Sequence, residues 1–122
     1  MTTLRQLALL LLLCLGLTPA FAQDVQPVPA LTERVIDQTG TLSAADQARL
    51  VAKLAAFEAE AGPQIVVLMV ATTAPEDIAA YTQRVGEAWK IGRRDVGDGL
   101  LLVVAKNDRR LWIAPAKALE GA

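Results

Sequence analysis

The chain has 122 residues, a length that suits one domain. Its formal charge of −1 argues against broad nucleic-acid binding. It contains no histidine and one cysteine, Cys14, which excludes Ser-His-Asp and Cys-His catalysis and most zinc and copper sites. A metal bound here would take oxygen ligands, as calcium, magnesium or manganese do.

The amino terminus has the three-part layout of a secretory signal peptide. Met1 to Arg5 carries one positive charge and no acid, Leu7 to Leu17 is apolar, and Thr18-Pro19 leads into Ala20-Phe21-Ala22. Cleavage is expected between Ala22 and Gln23, making residues 1–22 a leader. The apolar run is too short for a comfortable bilayer span, so no transmembrane helix is expected in the mature chain. The expected location is periplasmic or membrane-associated on the extracytoplasmic side.

Residues 23–32 contain Pro27 and Pro29 and read as an extended lead-in without internal hydrogen bonds. Arg34-Val35-Ile36-Asp37 is a short β-like run, and Gln38 to Thr41 has turn chemistry. Ser43 is a good helix N-cap with Asp46 three residues on, so a helix is expected from about Ala44 to Ala61, ended by Gly62-Pro63.

Ile65 to Ala71 is apolar without alternation, as in a strand buried on both faces. Glu76-Asp77 opens a second helix carrying Ile78, Tyr81, Thr82, Val85 and Trp89 at helical intervals. Trp89 is expected to anchor the core. Leu100 to Ala105 is a second apolar strand. Lys106 to Arg109 is a turn, and Arg110 to Ala114 is a third long strand, antiparallel to its predecessor and placed at an edge by Pro115. The order β, α, β, α, β, β predicts an α/β fold with helices on both faces of the sheet.

Acids concentrate at two loops. Asp37 follows the first short strand; Asp95 and Asp98 lie in the glycine-containing loop before Gly99. Two or three carboxylates with backbone carbonyls suit Ca²⁺, which takes about six to eight oxygens. Against this stands the bland alternative that these acids bond their own turns. Arg94 and Arg109, with Arg93 and Arg110, would suit a phosphate if the loop and the hairpin turn met; scattered surface ion pairs are the alternative. Gly92, Gly97 and Gly99 form no dinucleotide-binding or Walker pattern.

Several short motifs occur in order: Val35-Ile36-Asp37 with Gly40 and Leu42-Ser43; Gln64-Ile65-Val66-Val67; Trp89-Lys90-Ile91-Gly92; Asp98-Gly99-Leu100-Leu101-Leu102-Val103; Asn107-Asp108-Arg109; and Leu119-Glu120-Gly121. Together the sequence resembles the TPM domain family. The resemblance implies a three-layer α/β/α sandwich with a small mixed sheet over residues 33–122. It also implies an extracytoplasmic setting, divalent-metal binding (Ca²⁺ or Mg²⁺), and work on membrane protein complexes. Carried onto this chain, the family's acids are Asp37 and Asp98.

Two departures stand out. Pro115-Ala116-Lys117-Ala118 replaces the family's glycine-rich segment, and the family domain continues into further helices, so a C-terminal truncation is expected. Three functions follow. One is an exported cation-binding accessory module. Another is a metal-assisted acid phosphatase acting on phosphate monoesters. The third is an inactive truncated domain.

Overall fold

The computed structural model describes residues 24–92 and 97–116. Strand β1 spans Val35–Asp37, helix α1 Ala44–Ala61, β2 Gln64–Val70, helix α2 Ile78–Trp89, β3 Gly99–Ala105 and β4 Arg110–Pro115. The strands form one sheet in the order β1-β2-β3-β4. β1, β2 and β3 run parallel, and β4 returns antiparallel along β3. The α/β class and the succession of elements are those the sequence predicts.

Local chemistry sets the helix ends. Ser43 accepts the Asp46 N–H at 3.1 Å as N-cap of α1. Gly62, at φ 99°, closes that helix with its N–H on the Glu58 carbonyl. Asp77 caps α2 by accepting the Ala79 N–H, and Lys90 ends it in the left-handed region at φ 49°. The helix stops there because Gly92 must come against the start of β3. A Cβ on Gly92 would meet the Gly99 backbone, and a Cβ on Gly99 would meet the Ile91 carbonyl.

The core lies between α2 and one face of the sheet. Val66, Leu68 and Val70 of β2, with Leu101, Val103 and Ala105 of β3, pack against Ile78, Tyr81 and Val85 of α2. These strand residues alternate, so one face is fully buried and the intervening positions of the other face are half-buried. The expectation of strands buried on both faces is therefore corrected.

The reason is α1. It lies against β1 and β2. Val35 shares its face with Val67, is wholly buried, and stands outside the α2-side cluster. Yet α1 itself buries no residue, so its cover is loose and does not extend over β4. Leu111 and Ile113 of β4, on that same face, stay 56% and 52% exposed.

The proline-containing lead-in is a strap bound to α2. Gln26 donates its amide to the Ala74 carbonyl (3.1 Å), Arg84 donates to the Gln26 carbonyl (2.6 Å), and Trp89 donates its indole N–H to the Pro29 carbonyl (2.8 Å). Val28 packs against the core. The strap is in neither helix nor strand, and these side-chain hydrogen bonds to the rest of the chain hold it in place. Trp89 is half-buried and serves both the core and this strap. Among the described residues, no helix is long and apolar enough to cross a membrane.

Candidate functional site

The parallel strands give the sheet two chemically different ends. At the amino end of β3, Asp98 is 2% exposed and engaged in its surroundings. Beside it, the Gly92 N–H donates to the Gln64 side-chain oxygen at 2.8 Å. The motif glycines Gly92 and Gly99 let two backbones touch here, which accounts for them sterically.

At the carboxyl ends lie Asp37, the β2–α2 loop and the β3–β4 turn. Asp37 Oδ1 accepts the Thr39 N–H at 2.8 Å and the Thr39 hydroxyl at 2.5 Å; Oδ2 accepts the Leu42 N–H at 2.8 Å. Thr39 Oγ1 in turn lies 2.7 Å from Thr41 Oγ1. Burial pushes the Asp37 carboxyl up. Hydrogen bonds from Leu42, Thr39 and Thr41 outweigh that and hold it below the usual carboxylate range.

One strand over, Thr72 donates its hydroxyl to both oxygens of Asp108 (2.8 and 2.9 Å), and the Thr73 N–H donates to Asp108 Oδ2 at 3.0 Å. The Lys106 and Asn107 N–H groups bond the Val70 and Ala71 carbonyls. These contacts latch the hairpin turn to the end of β2.

The same end holds a paired cation. Arg84 meets Glu76 at 2.9 Å and stands over the Tyr81 ring, 5.5 Å from its centroid. Its hydrogen bond to Glu76 raises its affinity for the proton. Burial pushes the Tyr81 phenol up; Arg84 pulls it down and Glu76 pushes it up.

The expected residues separate. Asp37 pairs with Met69, whereas Gly99, next to Asp98, pairs with Gln64. The five steps from Gln64 to Met69 span about 16 Å at roughly 3.3 Å per residue. Two ligands of one calcium lie within about 5 Å of each other. Asp37 and Asp98 therefore do not share an ion, which corrects the expectation of one Ca²⁺ site built from both. The reason is strand direction: Asp37 ends β1 level with Val104, near the end of β3, whereas Asp98 stands just before the first residue of β3.

Asp95, Arg94, Ala22 and Gln23 lie outside the described residues. Arg109 sits in the β3–β4 turn at φ 52°, at the Asp37 end of the sheet. Among the described residues no group of three or more acids or cysteines is placed to hold a metal.

In the sequence, Asp108 reads as a turn residue and Tyr81 as one of the apolar-face positions of α2. Asp108 lies within the Asn107-Asp108-Arg109 motif, a signal of position though not of role. Nothing local in the sequence marks Gln26 or Arg84, whose partners are 48 and 58 positions away.

Comparison with known proteins places these features in a family. The TPM domain matches residues 35–122. No curated protein matches the chain. Among solved structures, the chain is similar to the N-terminal domain of the cg2496 protein from Corynebacterium glutamicum, determined by solution NMR. The TM-score is 0.62 with 21% identity, over 86% of this chain and 62% of that one, so the likeness supports the fold. The chain thus spans less than two thirds of that domain's length. With the family covering everything from β1 onward, the chain belongs to the TPM domain family.

Proposed function

We propose that this protein is an exported accessory module that serves a membrane protein complex and binds a divalent cation, Ca²⁺ or Mg²⁺, at the β1–α1 loop. The single observation that carries the cation reading is the oxygen cluster of Asp37, Thr39 and Thr41. It combines an ionised carboxylate with two hydroxyls linked by 2.5 and 2.7 Å contacts. Hard cations favour such all-oxygen donors.

The fit is that of a weak, largely hydrated site. One carboxylate with two hydroxyls is short of the six to eight oxygens calcium takes, and water would complete the shell. Asp37 is the anionic ligand of that shell, and the threonine hydroxyls would turn their lone pairs toward the ion. Asp98, at the other end of the sheet, has no part in it.

The same geometry supports a module over a hydrolase. Thr72 and Asp108 form a hydroxyl–carboxylate pair, but the Thr72 hydroxyl also accepts the Ala74 N–H (3.0 Å). With the Thr73 N–H on Asp108, both side chains are committed to fixing loops. A phosphatase built on Asp37 and Asp98 around one ion is not supported by their separation. Export rests on the leader-like pattern of residues 1–22, and service to a membrane complex rests on family membership.

The test is a calorimetric and NMR titration of the exported chain with CaCl₂ and MgCl₂. Saturable binding that Asp37→Asn weakens at least tenfold and Asp98→Asn leaves unchanged is the expected result. Equal affinity in wild type and Asp37→Asn would overturn the site. Cross-linking in isolated membranes, with recovery of the same membrane protein complex from independent preparations, checks the accessory role; recovery of the free chain alone counts against it.

A further inference from the structure

β4 is an edge strand. β3 lies on one side of it, and among the described residues no strand lies on the other. The Ala116 N–H donates to the Gly99 carbonyl at 2.7 Å, which makes Gly99 and Ala116 a hydrogen-bonded antiparallel pair. Such pairs alternate along a ladder, so the backbone groups of Arg110, Trp112 and Ala114 turn toward β3. Those of Leu111, Ile113 and Pro115 face the open edge. Pro115 has no N–H to leave unpaired there, as suits a proline on an outer strand.

The open edge is also apolar. Leu111, Trp112 and Ile113 are exposed in succession. No charge stands between Arg110 and Pro115. Edge strands are ordinarily guarded by charges, bulges or a cover, because their unpaired N–H and C=O groups are a template for another strand. The β4 register against β3 runs without a bulge.

This edge is complementary to itself. With two copies antiparallel about an axis at Trp112, Leu111 stands opposite Ile113 of the second copy, and each N–H meets the other's carbonyl. Pro115 comes opposite Arg109. One lacks an N–H and the other has committed its own to the Lys106 carbonyl, so the ladder ends there on both sides. The two Trp112 side chains meet across the axis at a non-hydrogen-bonded position, where Cα atoms approach to about 4.5 Å. Aromatic pairs so placed stabilise a sheet.

Charge is matched as well. Arg110 comes opposite Ala114 of the second copy, and Ala114 lines a groove of about 230 Å³ together with Glu87, an exposed acid of α2. Within its own copy, Arg110 reaches only Asp77, at 3.9 Å, with both side chains largely exposed.

We propose that β4 pairs antiparallel with β4 of a second copy about Trp112, making one continuous sheet across a two-fold dimer. The strand has 6 residues, against the roughly 20–30 residues a side of a standard interface, so the dimer is weak and forms as the protein is concentrated. The proposal does not rest on the cation reading, because Asp37 lies on β1, at the opposite edge of the sheet.

The experiment is sedimentation velocity of the exported chain over a concentration series, with amide hydrogen exchange on the same samples. A shift from monomer to dimer with rising concentration is expected, with slower exchange at Leu111 and Ile113 as the dimer fills. Ile113→Lys, which charges the edge, should weaken the dimer about tenfold or more. Arg110→Glu leaves the apolar side chains in place and should weaken it several-fold by facing Glu87 of the second copy. Adding Glu87→Arg to that variant should restore the wild-type affinity.

A monomer at every concentration overturns the proposal. Slow exchange at Leu111 and Ile113 in that monomer would assign the edge to another segment of the same chain. A dimer that leaves those two amides unprotected, or that Ile113→Lys does not weaken, overturns it as well. Failure of the double variant to regain affinity overturns the Trp112 register.

Discussion

The indole N–H of Trp89 donates to the carbonyl of Pro29 at 2.8 Å, joining residues 60 positions apart. It makes the last residue of α2 the fastening point of the amino-terminal strap. Arg84, about one and a half turns earlier on the helix, fastens the same strap at Gln26. The strap also forms one wall of a cavity lined by Tyr81, so its attachment governs that end of the sheet.

Trp89→Phe keeps a ring in the core and removes the donor. It should cost about 1 kcal/mol, the net worth of an ordinary hydrogen bond. Limited proteolysis should then cut the strap between residues 24 and 31 faster than in wild type. Arg84→Met should accelerate cleavage further, because it also ends the Glu76 ion pair and the stacking on Tyr81.

Gly99→Ala should destabilise the domain by about 3 kcal/mol or more, since overpacking against fixed backbone has no easy relief. The added methyl would lie 2.6 Å from the Ile91 carbonyl carbon. Chemical denaturation measures the loss. Gly97→Ala is the contrast, because a Cβ there meets nothing within 4 Å and the strain comes from its φ of +67° alone.

Asp37 links stability to pH. Its carboxyl titrates below its unfolded value near 3.8. Such a group contributes stability that is present above the unfolded pKa and lost as pH falls through the folded one. Asp37→Ala should cost about 1–3 kcal/mol at pH 7, because it strands the Leu42 and Thr39 N–H groups. The gap between wild type and variant should narrow below about pH 3.8 in urea melts run from pH 2 to 7.

The two faces of the sheet should answer differently to truncation. Leu101→Ala, at 1% exposure, should cost about 2–5 kcal/mol. Ile113→Thr, at 52% exposure, should change stability by no more than about 0.5 kcal/mol. Thermal melts of both variants check whether α1 leaves the β4 side of its face uncovered.

Much of this molecule follows from local sequence. Ser43 with Asp46 and Gly62 set both ends of α1, Asp77 starts α2, and the apolar runs at 65–70 and 100–105 are strands. Caps, turns and short apolar runs act over a few residues, so the sequence alone determined the elements, their order and the family motifs.

The tertiary structure decided what those elements bring together. Parallel register sent Asp37 and Asp98 to opposite ends of the sheet, a separation invisible in a linear list of acids. It also set Gln26, Thr72 and Tyr81 around one cavity, and joined Asp108 to Thr72 across 36 positions. Strand direction and strand pairing are non-local: the same residues in another register would put different side chains at each end.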